Sequence, residues 1–67
     1  MPTQKEQAQR IEQKASLLKK YKALKEELYG AESTFEEELI IQERNTLATQ
    51  IKTLSQAIRD YEESQEA

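Results

Sequence analysis

The sequence predicts an all-α fold, a two-helix antiparallel coiled-coil hairpin, and three observations carry that prediction. From Ile40 to Tyr61 the apolar residues are Ile40, Leu47, Ile51, Leu54, Ile58 and Tyr61, at intervals of 7, 4, 3, 4 and 3. That 3-4 alternation is the seam of a helix that packs on another helix. A second helical pattern ends at Tyr29, and the chain's single glycine, Gly30, falls between the two. Charge is also split. Residues 1–30 carry seven Lys/Arg against four Glu, net +3, and residues 31–67 carry three Lys/Arg against nine Asp/Glu, net −6. Oppositely charged halves are expected to face each other, whereas free nucleic acid would want one basic surface.

Composition bounds the rest. A chain of 67 residues is one small domain, and such a domain buries only ~60% of its unfolded surface. Small folds need a staple, and the absence of cysteine excludes disulfides. Oligomerisation or a partner is the remaining route. The charged fraction of 34%, with one Gly and one Pro, is that of a helical or coiled-coil chain. No apolar stretch approaches the ~18 residues of a membrane span, and no secretory h-region follows the start. The expectation is a cytoplasmic protein without membrane insertion.

The first helix is expected over about residues 3–29. Met1-Pro2-Thr3 reads as a helix start, with Thr3 and Glu6 as an S/T-x-x-E capping box. Leu17, Leu18, Tyr21, Leu24 and Leu28 fill one broad arc of the wheel, with Ile11 and Tyr29 at its edge. Lys14 and Lys25 interrupt that arc and are expected to lay their methylene stems along the seam. The turn falls at about residues 30–33. Gly30 suits the left-handed residue that ends a helix. Ser33 with Glu36, or Thr34 with Glu37, offers the next capping box. The 3-4 register of Leu17, Tyr21, Leu24, Leu28, Ala31 and Phe35 does not run on into Ile40, Leu47 and Ile51. That phase break favours a hairpin over one continuous helix.

The second helix is expected over about residues 34–64. Ile40, Leu47, Leu54 and Tyr61 take its d positions, and Arg44, Ile51 and Ile58 its a positions. A pivot near residue 32 pairs residues whose numbers sum to about 65. Leu24 then lies by Ile41, Tyr21 by Arg44, Leu18 by Leu47, and Ile11 by Leu54. The expected hairpin core is Ile11, Leu18, Tyr21, Ile40, Leu47, Ile51 and Leu54. Ile58 and Tyr61 face Gln7 and Gln4, so little of the chain's own apolar surface covers them. Leu39, Ile40 and Ile41 point ~100° apart and cannot all meet one partner helix. The expected protein interface is therefore Leu17, Leu24, Leu28, Phe35, Leu39, Ile41, Ile58 and Tyr61.

Chemistry is expected to be absent. Without His or Cys, the commonest general base and the strongest thiol nucleophile are missing. Glu36-Glu37-Glu38 fans around a first helical turn, where the helix dipole favours negative charge, and reads as solvated rather than as a metal site. No glycine-rich phosphate loop exists. Neither cofactor, metal nor small-molecule substrate is expected. Lys14, Lys19, Lys20, Lys22 and Lys25 make a window with five positive charges and no acid. Lys19 and Lys20 point well apart on the wheel, so this is not one stripe, and a solvated face with inter-helix salt bridges is favoured over nucleic-acid contact.

From Gly30 onward the chain resembles the small helical-hairpin co-chaperones of type III secretion needle subunits. The likeness rests on Gly30, Phe35, Gln42 with Arg44, and the ladder Leu47, Ile51, Leu54. It covers about half the chain and needs a one-residue slip to align the ladder. The resemblance implies binding to a helical-repeat chaperone and joint capping of an aggregation-prone needle subunit. From the residues alone, the leading expectation is a non-enzymatic adaptor or chaperone that presents a coiled-coil seam to a protein partner. A self-assembling element, either a dimer of hairpins or a long parallel coiled coil, is the alternative. A nucleic-acid-binding hairpin ranks third.

Overall fold

Thr3 opens the first helix in the computed structural model, which describes residues 3–66. Its side-chain oxygen accepts the Glu6 N–H at 3.1 Å and its carbonyl accepts the Gln7 N–H at 3.0 Å. The first satisfies one of the donors that a helix start leaves free, and the second is the helix's first i→i−4 bond. Met1 and Pro2, part of the expected start signal, lie outside the described residues. Helix α1 runs over Gln4–Tyr29 and helix α2 over Thr34–Glu66. The two pack side by side as an all-α hairpin with extents of 51 × 14 × 14 Å. At ~1.5 Å per residue, α2 alone spans that long axis.

The turn differs from its sequence reading at Gly30. The expectation was a left-handed glycine, but Gly30 sits at φ −93°, ψ 2°. No described residue has positive φ. Helix α1 instead tightens into i→i−3 bonds: the Gly30 N–H donates to the Glu27 carbonyl at 3.1 Å and the Ala31 N–H to that of Leu28 at 3.3 Å. Of the two candidate caps, Ser33 is the one used, with the carboxylate bond falling one residue before the N-cap. Ser33 Oγ accepts the Glu36 N–H at 3.1 Å, and the Glu36 carboxylate reaches back to the Glu32 N–H at 3.1 Å.

Covered positions trace a regular seam on both helices. On α1 they include Gln7, Arg10, Lys14, Leu17, Tyr21, Leu24 and Leu28, continuing to Ala31 in the turn. On α2 they include Ile40, Arg44, Leu47, Ile51, Leu54, Ile58 and Tyr61. Both series alternate steps of three and four, as a coiled-coil seam must. Two contacts fix the register. The Arg44 guanidinium lies over the Tyr21 ring, 4.2 Å from its centroid. Gln7 Nε2 donates to the Ile58 carbonyl at 3.1 Å. Each pair sums to 65, the expected pairing. Matching the two covered series term by term from these contacts sets Leu24 across from Ile40 rather than from the expected Ile41, which is 45% exposed, Leu17 from Leu47, Lys14 from Ile51, and Arg10 from Leu54.

That register divides the hairpin. Near the turn, leucines meet leucine and isoleucine. Toward the open end, Lys14, Arg10 and Gln7 lie over Ile51, Leu54 and Ile58. The most buried apolar residues are Leu24 and Leu47, each 8% exposed, and no described side chain is completely enclosed. Ile11 corrects the expected core. It is 49% exposed because the strict 3-4 count back from Leu17 gives Lys14, Arg10 and Gln7, which places Ile11 on a flank. Leu18, Tyr21, Ile40, Ile51 and Leu54 are half-buried, as the narrow seam of a two-helix pair allows.

Candidate protein-interaction surface

Four large apolar residues stand exposed around the turn. Tyr29 closes α1 and is 78% exposed, while Phe35 in the first turn of α2 is 68% exposed. Leu39 and Ile41 follow, also exposed. Phe35 and Leu39 are four residues apart and share one flank of α2, while Ile41 lies on the opposite flank beyond Ile40. On α1, Tyr29 shares its flank with Ile11 and Leu18, because separations of 7 and 11 residues nearly complete whole turns.

The remaining expected interface residues are held by the hairpin itself. Leu24 is buried in the seam, so it is unavailable to a partner while the hairpin is closed. Leu17, Leu28, Ile58 and Tyr61 are half-buried, for the same reason: they occupy the a and d positions that the two helices cover mutually. Of the expected set, Phe35, Leu39 and Ile41 are the ones presented to solvent.

Sequence reading missed the stripe to which Phe35 and Leu39 belong. Phe35, Leu39, Gln42, Thr46, Thr49 and Thr53 step by 4, 3, 4, 3 and 4, and all are exposed. This is a second 3-4 series on α2, running beside the seam, and its far members Thr49 and Thr53 border α1. Its threonine hydroxyls are already spent. Thr46, Thr49 and Thr53 donate to the carbonyls of Gln42, Asn45 and Thr49, at 3.1, 3.1 and 3.0 Å. A hydroxyl bonded back to the preceding turn no longer seeks an outside acceptor, so these residues offer their methyl groups. The spacing from Phe35 was the available signal. A seam count that takes only large apolar residues passes over it.

Two polar groups at the seam are only partly satisfied. Gln7 is 8% exposed, and its Oε1 has no hydrogen-bond partner. Arg44 Nε is likewise buried without a partner, although its guanidinium stacks on Tyr21. Such a cation–π contact contributes ~0.5–2 kcal/mol, and an unpartnered buried donor or acceptor costs ~1–3 kcal/mol. Arg44 therefore sets the layer with Tyr21 more than it adds stability.

An open groove of about 310 Å³ lies between the helices, lined by Gln13, Leu17, Thr49, Gln50, Thr53 and Leu54. Its lining is amide, hydroxyl and leucine, with no ionisable group. No cluster of three potential metal ligands occurs among the described residues. Lys19, Lys20, Lys22 and Lys25 are exposed, and Lys14 is half-buried in the seam. No described helix is long and apolar enough to cross a membrane. No family model, curated protein or solved structure matches the chain.

Proposed function

We propose that this chain is a non-enzymatic protein-interaction module that docks the outer stripe of α2 onto a helical surface of a partner protein. The observation that carries the reading is the stripe from Phe35 and Leu39 to Thr53: helix-spaced, exposed, and cleared of competing hydroxyl donors. Exposed aromatic and aliphatic side chains in such an arrangement are the usual anchors of a protein interface.

Surface bookkeeping supports it. The hairpin exposes 5412 Å², whereas a compact folded chain of its mass exposes about 4,400 Å². The excess, about 1,000 Å², is close to the ~800 Å² that each partner contributes to a standard interface. An adaptor or small chaperone fits this shape, and the needle-subunit co-chaperone implied by the resemblance is its most specific form.

Affinity capture from the source cell tests the reading with three chains: the parent, a Phe35→Ser, Leu39→Ser variant, and Ile41→Ser. The stripe variant is expected to lose the captured protein while staying helical, and Ile41→Ser is expected to keep it. Equal capture by all three chains would remove α2's outer stripe from the interface.

A further inference from the structure

The open end of the hairpin is badly matched. Helix α2 offers a continuous apolar strip there, Ile51, Leu54, Ile58 and Tyr61. The α1 segment that covers it presents Lys14, Arg10 and Gln7 and turns Ile11, its own large apolar residue, outward at 49% exposure. Gln7 spends one donor on the Ile58 carbonyl and leaves Oε1 buried without a partner. A cover that places polar groups on isoleucine and strands a buried acceptor is weakly held.

We infer that residues 4–14 of α1 form a displaceable cover, and that the strip beneath it pairs with the same strip of a second copy of this chain. The spacing of the strip is 3, 4, 3, which reads the same in both directions. An antiparallel copy therefore sets Leu54 against Ile58 of the partner subunit and Ile51 against Tyr61 of the partner subunit, about a two-fold axis near residue 56. The flanks agree with a like partner. The e and g positions between Leu47 and Tyr61 are Ala48, Gln50, Ser55 and Ala57. In coiled coils, charges at e and g choose the partner. Here none repels an identical helix, and small side chains let one approach closely. In this assembly the turn-proximal half of each hairpin, with Leu17 on Leu47 and Leu24 by Ile40, stays closed. The inference concerns the end remote from Phe35 and Leu39, so it stands or falls separately from the docking stripe.

Because the chain has no cysteine, one introduced residue reports the contact directly. Ser55 adjoins the inferred two-fold axis, and a Ser55→Cys variant is expected to form a disulfide-linked dimer under mild oxidation. Sedimentation of the parent over a concentration series is expected to give a reversible dimer. A Gln7→Leu, Lys14→Leu variant strengthens the cover with two apolar side chains. It is expected to melt higher, remain helical and dimerise about a hundredfold more weakly, with the Ser55→Cys cross-link lost in the combined variant. Ile58→Asp removes the strip from the other side and is expected to be monomeric. A parent that is monomeric throughout without the cross-link would overturn the inference. So would a dimer that either the strengthened cover or Ile58→Asp leaves intact.

Discussion

Replacing Gly30 by alanine probes how the turn is made. At φ −93° and ψ 2° the backbone lies in the bridge region that L-residues adopt at the third position of type I turns, so alanine meets no left-handed penalty. An added Cβ would come no closer than 3.7 Å to its nearest neighbour, the Glu27 carbonyl oxygen, an ordinary contact. The native state is thus unperturbed, while the unfolded chain loses conformational freedom. Gly→Ala at such a site stabilises by ~0.4–1 kcal/mol. In a domain of this size that is a rise in melting temperature of roughly 2–8 °C, read by circular dichroism. Because a continuous helix would also gain from alanine, topology needs its own readout. Fluorophores at the exposed positions Lys5 and Glu63 report it by energy transfer. In the hairpin the two ends meet, whereas one unbroken helix would hold them about 90 Å apart. A loss of stability of ~1 kcal/mol or more, or a loss of transfer in the alanine variant, would refute the account of the turn.

Other substitutions separate the parts of the fold. Leu24→Ala and Leu47→Ala are each expected to cost ~2–4 kcal/mol in chemical denaturation. Ile11→Ser should cost under ~1 kcal/mol, since its side chain is already half in water. Ser33→Ala should lower stability by ~1 kcal/mol through loss of the Glu36 cap, and Thr34→Ala should leave it nearly unchanged. Native-state hydrogen exchange should find amides near Leu24 protected well beyond those of residues 5–14, the segment held by polar contacts.

The seam of α2 was legible because 3-4 spacing is set by helix geometry alone. The antiparallel register followed from where the turn signals sit: once the pivot is near residue 32, Tyr21 must meet Arg44 and Gln7 must meet Ile58. Two things were not legible. A wheel drawn for apolar residues admits Ile11 to the core, because hydrophobicity counts for more there than phase. The structure keeps phase, and Gln7, Arg10 and Lys14 take the covered positions. Gly30 looked like a left-handed cap because glycine is the usual choice for one, yet the i→i−3 bonds to Glu27 and Leu28 close the helix without it. Around the turn, Phe35, Leu39 and Ile41 were legible as surplus apolar residues. The threonines beside them were not, since only coordinates reveal that each hydroxyl turns back to its own helix.

The proposed docking of α2's outer stripe is tested most directly by calorimetric titration of the captured partner protein with the parent and the Phe35→Ser, Leu39→Ser variant. Removing the stripe's two large apolar anchors is expected to weaken binding about a hundredfold while the variant's helicity and melting temperature stay within error of the parent's. An unchanged Kd for a folded variant would contradict the account.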